Sequence, residues 1–196
     1  MRGDSTSEQT SPVARTNQRR IWHLILVALA TLLMVPVGPV LFPPQHSPAP
    51  VDAIFVLGPA SQTRIGHAQD LIAAGYSETL VVSTTVGNGT YGADKLWICT
   101  HEQTYDVYCV QPYPSTTQGE IALFQRMARE HGWESVMVVT FAPHVLRTEL
   151  YLDRCFSGEF TVVQDGTYLG PKRNALEYLY QLIAFAKAFT YTTGCA

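Results

Sequence analysis

The sequence predicts an α/β domain, a parallel sheet of about five strands covered by helices on both faces, preceded by one transmembrane helix. Three observations predict it. Short apolar runs alternate with segments whose apolar residues recur at helical spacing, and strands that alternate with helices pair in parallel through right-handed crossovers. One stretch, Ile21 to Phe42, is nearly all apolar and carries no Asp, Glu, Lys or Arg. The chain has 196 residues, 46% hydrophobic and 15% charged, which suits one domain with a real core.

Residues 1–20 are polar and lack aromatic residues, so they cannot bury enough apolar area to offset ordering entropy and are expected to be a disordered cytoplasmic tail. The apolar run at 21–42 is long enough to span a hydrocarbon core of ~30 Å. A cleaved signal peptide would show an A-x-A-like site, which is lacking. A buried core helix fits poorly with Pro36, Gly38 and Pro39 inside the run. A single-pass anchor is the expectation, with Pro36 ending or kinking the regular helix. Arg15, Arg19 and Arg20 precede the run and no Lys or Arg lies in Pro43–Pro50, so the positive-inside rule places the N-terminus in the cytoplasm and the C-terminal domain outside the cell membrane. Residues 43–50, PPQHSPAP, read as a stiff linker and 51–196 as the outer domain.

Within that domain DAIFVLG (52–58) is a continuous apolar run ending in Gly, as in a strand buried on both faces. A helix over 64–75 follows, with Ile65, Ala68, Leu71 and Ile72 at helical spacing and Gly75 as its stop. Thr79–Ser83 is a second strand. The Gly-, Asn- and Thr-rich stretch 84–105 reads as a long loop with one short helix near 93–98. Val107–Gln111 is a third strand. In the next helix Ser115, Thr116 or Thr117 can cap, Thr117 with Glu120 matches capping-box spacing, and Gly132 ends it. Val136–Val139 is a fourth strand, Phe160–Gln164 a fifth, and Pro171–Phe189 a last helix.

After the fourth strand Pro143 opens a helix that carries His144 and Arg147, an imidazole and a permanent cation one turn apart just past the carboxyl end of a strand, where ligands bind in open α/β sheets. Segments 58–64, 83–85, 113–120 and 140–147 each follow a strand and therefore meet at this edge. His144, near a helix N-terminus, suits a neutral base; its structural alternative is a cap or a bond to a backbone carbonyl. Arg147 suits a carboxylate or phosphate, the alternative being a salt bridge with Glu120 or Asp70. Arg64 has the same choice between anion and surface charge. Ser83 and Ser115 are candidate donors, with ordinary capping as the alternative, favoured for Ser115. Capping is also the simpler role for Thr117 and Glu120.

Other classes lose support. Net charge is −3 and no basic stripe follows Arg20, which disfavours nucleic acid. Neither serine sits in G-x-S-x-G, so no nucleophile elbow is indicated. No C-x-x-C is present and the histidines have no metal-ligand spacing, so no metal is expected. The four cysteines, Cys99, Cys109, Cys155 and Cys195, all follow the anchor, and in an oxidising compartment two disulfides form one of three pairings. Proximity favours Cys99 with Cys109, leaving Cys155 with Cys195 to pin the tail; free buried thiols are the alternative.

DAIFVLG followed by Arg64, then LIAAG, VVS, STTQGE and VVTFAPHVLRTELYL, in this order and spacing, resembles the YdcF/SanA/ElyC-like family from about Val51 to Cys155 and more weakly to Phe185. The chain has Gly58-Pro59-Ala60 where the family has a Gly-rich turn, Ser83-Thr84-Thr85 for Ser-Gly-Gly, and Thr117-Gln118-Gly119-Glu120 for T-x-x-N. The resemblance implies a Rossmann-like fold, membrane attachment, and a site that includes Gly58, Arg64, Ser83, Ser115, Thr117, Glu120, His144 and Arg147. It also links some members to cell-envelope physiology. It supplies no reaction or cofactor; S-adenosylmethionine, associated with one member, has no obvious supply outside the membrane. The expected function is binding of a small anionic envelope-related or nucleotide-like ligand, and the sequence does not decide between binding alone and catalysis. The alternative is a non-catalytic membrane-tethered scaffold or regulator of cell-envelope homeostasis.

Overall fold

A computed structural model describes residues 12–85 and 89–195, with backbone only for 12–16. It divides into two units, residues 1–37 and 38–196. In the first, helix α1 runs Pro12–Met34 and its described apolar side chains, among them Trp22, Leu24, Val27 and Leu32, are exposed. The helix stops two residues before Pro36, whose missing N–H and ring cannot continue it. Together with α2 (Val37–Leu41) it provides an apolar span, Asn17–Leu41, long enough to cross a membrane. The expected disorder of 1–20 fails over 12–20, which are helical. Once the apolar run nucleates a helix, propagation through helix-tolerant Gln18, Arg19 and Arg20 needs little, and Pro12 suits a first turn. Residues 1–11 lie outside the described part.

The second unit has a Rossmann-like fold. Five parallel strands, β1 (Ala53–Val56), β2 (Thr79–Ser83), β3 (Asp106–Val110), β4 (Ser135–Thr140) and β5 (Glu159–Gln164), lie in the order β3-β2-β1-β4-β5. The register sets Phe55 opposite Val81 and Val138, and Val138 opposite Val162. Successive residues of each strand serve opposite faces. Ala53, Phe55, Val136 and Val138 pack with Ile121, Phe124 and Leu152 from α5 (Thr117–His131) and α6 (Val145–Cys155). Ile54, Val56, Met137 and Val139 pack with Ile65, Ala68 and Leu71 from α3 (Gln62–Ala73) and Ile98 from α4 (Trp97–Thr100). Continuous apolar strands are what two-sided burial demands.

Local chemistry sets the ends. Ser61 caps α3 by accepting from the Arg64 N–H. Gly132 ends α5 at φ 74°, a left-handed position that a side chain resists. The expected capping box of α5 is a misreading. Thr116 is the cap, accepting from the Gly119 N–H, which releases Thr117 and Glu120 for partners in other elements. Pro143 and His144 form a 3-10 turn, and the regular helix begins only at Val145. The last helix, α7, runs Gly170–Thr190.

Cys99 pairs with Cys109, tying α4 to β3, and Cys155 pairs with Cys195, pinning the tail to α6. The segment read as a stiff linker, 43–50, touches the domain at two places. Val40 and Pro43 are buried, the Pro43 carbonyl accepts from Gln164 Nε2, and His46 Nε2 lies 3.1 Å from Glu149 Oε1.

Candidate functional site at the carboxyl edge of the sheet

Strand order reverses between β1 and β4, where one crossover runs to each side, and the loops after these strands diverge to leave a crevice. A cavity of about 400 Å³ occupies this place. Gly58 and Pro59 after β1, Ser61, Thr63 and Arg64 of the α3 start, and Phe141 and His144 after β4 form one side. Arg147 of α6 lies behind them, and α7 closes the other side with Arg173, Glu177, Tyr180 and Gln181.

His144 is buried with both ring nitrogens engaged. Nδ1 lies 3.0 Å from Thr140 Oγ1 and Nε2 lies 3.1 Å from Thr117 Oγ1. Thr117 Oγ1 also accepts from Arg147 at 2.8 Å. With the ring proton on Nδ1, His144 donates to Thr140 and accepts the Thr117 hydroxyl proton at Nε2. Burial, reinforced by the positive charges of Arg147 and Arg64, holds the imidazole well below its ordinary pKa, so it is neutral at pH 7. Helix position alone suggested a neutral histidine; desolvation and two cations make it one. The capping and backbone-carbonyl roles are not what the ring does.

Arg147 is buried and, among the described residues, forms no salt bridge with Glu120, Asp70 or any other carboxylate. Its neutral partners are Thr117 and Gln181 Oε1, the latter 2.9 Å from Nε, and its guanidinium stacks over the Tyr180 ring at 5.7 Å. Because Arg147 only donates, it fixes the Gln181 amide with oxygen toward the arginine. Gln181 Nε2, on a fully buried side chain lining the cavity, is left with no hydrogen-bond partner. A buried cation with no carboxylate in contact, offset only by Glu120 and Glu177 at longer range, and a buried amide without an acceptor are each costly, and one anion in the cavity answers both.

Arg64 is no surface charge. It is 4% exposed, with Nε 2.9 Å from Asp165 Oδ2 and one terminal nitrogen donating to the Leu57 and Pro59 carbonyls. It borders the cavity with its charge matched and holds the β1–α3 loop in shape. Glu120 lies behind Gly58, accepting its N–H at 2.7 Å, and Ser83 also bonds to this carboxylate. A Cβ on Gly58 would stand 2.8 Å from Glu120 Oε1, so a larger residue there would have to push the buried carboxylate out of its bond to the Gly58 N–H. Burial raises the Glu120 pKa despite these donors and the nearby arginines. Ser115 is exposed, bonds the Pro112 carbonyl at 3.4 Å, and belongs with Thr117 to a neighbouring cleft of about 280 Å³ on the far side of Arg147.

No family model, curated protein or solved structure matches the chain. The structure brings together Gly58, Arg64, Ser83, Thr117, Glu120, His144 and Arg147, and leaves Ser115 at the margin. Sequence reasoning missed Thr140, Asp165, Arg173, Tyr180 and Gln181. Asp165, the first residue after β5, carried a usable signal, because every other strand end had already been assigned to this edge. The α7 residues carried none, because nothing local tells which helix face closes a cavity.

Proposed function

We propose that this protein is a membrane-anchored, extracytoplasmic, YdcF-like receptor for a small anionic ligand, envelope-related or nucleotide-like, bound in the cavity between β1, β4 and α7. The observation that carries the reading is Arg147, a buried cation that among the described residues has no carboxylate in ion-pair contact and only the more distant charges of Glu120 and Glu177, beside the unpartnered Gln181 amide. Arg173, exposed at the rim, adds a second cation; Glu177 limits the excess and favours a ligand that also offers a donor. The volume suits a ligand of small-nucleotide or sugar-phosphate size. An extracytoplasmic position is supported by the basic residues before the span, the lack of Lys and Arg in 43–50, and the two disulfides.

Within this reading Arg147, Arg173 and Gln181 hold the anion, and His144 is the one neutral base beside it. Thr140 and Thr117 orient the ring. A proton taken by His144 Nε2 can come through the Thr117 hydroxyl, which Arg147 polarises. The full chain in lipid nanodiscs, screened by thermal shift against inorganic phosphate, pyrophosphate and AMP, tests the proposal. At least one of the three is expected to raise the outer-domain transition, and Arg147→Gln is expected to weaken that ligand by about 10–100-fold, as lost charge-assisted hydrogen bonds do. Equal binding by Arg147→Gln, or no response to any of the three, would overturn it.

A further inference from the structure

We infer that the anion held by Arg147 is an internal one, a phosphodiester whose two organic arms lie in the two clefts that meet at this arginine. This class of ligand presupposes the anion-receptor reading and narrows it. Arg147 and Tyr180 line both the cavity of about 400 Å³ and the neighbouring cleft of about 280 Å³. Helix α7 joins the two spaces. Arg173, Glu177, Tyr180, Ala184 and Lys187 recur at intervals of three and four residues and so lie on one stripe of the helix. The first two face the cavity, the last two face the cleft, and Tyr180 faces both. The stripe is roughly 21 Å long at 1.5 Å per residue. Arg147 is set against its middle by the bond to Gln181. Cavity and cleft are therefore two halves of one trough along α7. Tyr180, 56% exposed, lies over the guanidinium between them. An exposed ring changes rotamer at little cost, which opens the trough from end to end.

Arg147 is equipped to serve both halves. A guanidinium has five N–H groups. Nε donates to Gln181 and Nη1 to Thr117, and among the described residues the other three N–H groups have no protein acceptor. A terminal phosphate in the cavity would leave the cleft empty. A bridging phosphate at Arg147 sends one arm into each half. Charge agrees. In the cavity Arg64 is matched by Asp165, and Arg173 stands one turn from Glu177, which leaves one net positive charge. A phosphodiester carries one negative charge, whereas a terminal phosphate carries nearer to two at pH 7.

The two linings differ, and so do the arms they suit. Tyr91, Phe141 and Leu169 give the cavity apolar surface for a flat ring or an alkyl group. In the cleft Ile183 and Ala184 form an apolar wall, while Ser115 and Lys187 supply polar groups. An apolar face with a polar edge suits an arm that carries hydroxyl groups. Dinucleotides and the headgroups of phospholipids both have this diester chemistry.

Isothermal titration calorimetry of the full chain, in a maltoside detergent free of phosphate, tests this with two matched pairs of probes. One pair is AMP and adenylyl-(3′,5′)-adenosine; the other is glycerol 3-phosphate and glycerophosphoinositol. In at least one pair the diester is expected to bind about ten-fold more tightly than the monoester, or better. The pair that shows it distinguishes a nucleotide source from a headgroup source. Two substitutions fill the cleft, Ser115→Trp from an exposed loop and Ala184→Phe from α7. Each is expected to bring the ratio of diester to monoester affinity close to one, with the unliganded thermal transition as the check on folding. Ser115 is exposed, so its variant keeps the test decisive if Ala184→Phe fails to fold. Monoesters that bind as well as their diesters in both pairs would overturn the inference and leave the anion-receptor reading in place. So would a diester preference that the filled cleft does not reduce. No binding by any of the four probes would overturn both.

Discussion

His144 owes its neutrality to place rather than type: the ring is buried between two threonine hydroxyls, with Arg147 and Arg64 close by. Its folded pKa lies well below that of the unfolded chain. Below about pH 6.5 the unfolded state therefore binds a proton that the folded state refuses, and stability falls as pH drops, by at most about 1.4 kcal/mol per pH unit. Glu120 works in the opposite sense. Its raised folded pKa favours the fold below the ordinary carboxylate value of 4.5, and that contribution is lost as pH rises through the folded pKa. Urea midpoints between pH 5 and 7 are expected to decline toward acid in wild type and to flatten in His144→Gln; parallel slopes would place the neutral histidine elsewhere. Thr117→Val leaves Arg147 and His144 Nε2 without their shared oxygen and is expected to lower stability by about 3 kcal/mol, read from the same midpoints. At this scale sequence was a partial guide. His144 and Arg147 stood out because a buried strand led straight to them. Gln181 did not, because a glutamine in an apolar helix becomes informative only once its amide is seen pinned by an arginine.

Among the elements, α5 shows how a correct boundary can hide a wrong reason. Thr117 and Glu120 have capping-box spacing, but tertiary partners claim both: Thr117 meets Arg147 and His144, Glu120 meets Gly58 and Ser83, and Thr116 takes the cap. Spacing constrains local geometry and says nothing about what arrives from across the sheet. Gly119 packs so tightly that a Cβ would overlap the Pro114 carbonyl. Gly119→Ala is expected to cost about 2 kcal/mol or more by forcing the β3–α5 loop to shift, whereas Gly66→Ala, with open space around it, should be neutral or stabilising in the same denaturation assay. The disulfides differ in span. Closing 10 residues for Cys99–Cys109 and 40 for Cys155–Cys195 implies about 3 and about 4 kcal/mol of stabilisation respectively on chain-entropy grounds. Paired Cys→Ala variants compared by urea midpoint should show the larger loss at Cys155 and Cys195.

Across the whole molecule, the alternation of apolar runs and helical segments was enough to read the parallel sheet, because a strand buried on both faces has few other homes. It was also enough to collect the loops after four strands at one edge. The β3-β2-β1-β4-β5 order, which alternation and crossover handedness alone do not specify, opens the crevice between β1 and β4. What closes that crevice was not legible: α7 comes from the far end of the chain, and its position over the cavity depends on contacts such as Gln181 with Arg147. The central claim is that this crevice holds an anion. Crystals of the full chain grown in a lipidic mesophase and soaked with tungstate, a tetrahedral oxyanion with strong anomalous scattering, test it most directly. An anomalous peak is expected in the cavity within hydrogen-bonding distance of Gln181 Nε2 and the Arg147 guanidinium. A cavity without that peak, at tungstate levels that label other surface cations, would contradict it.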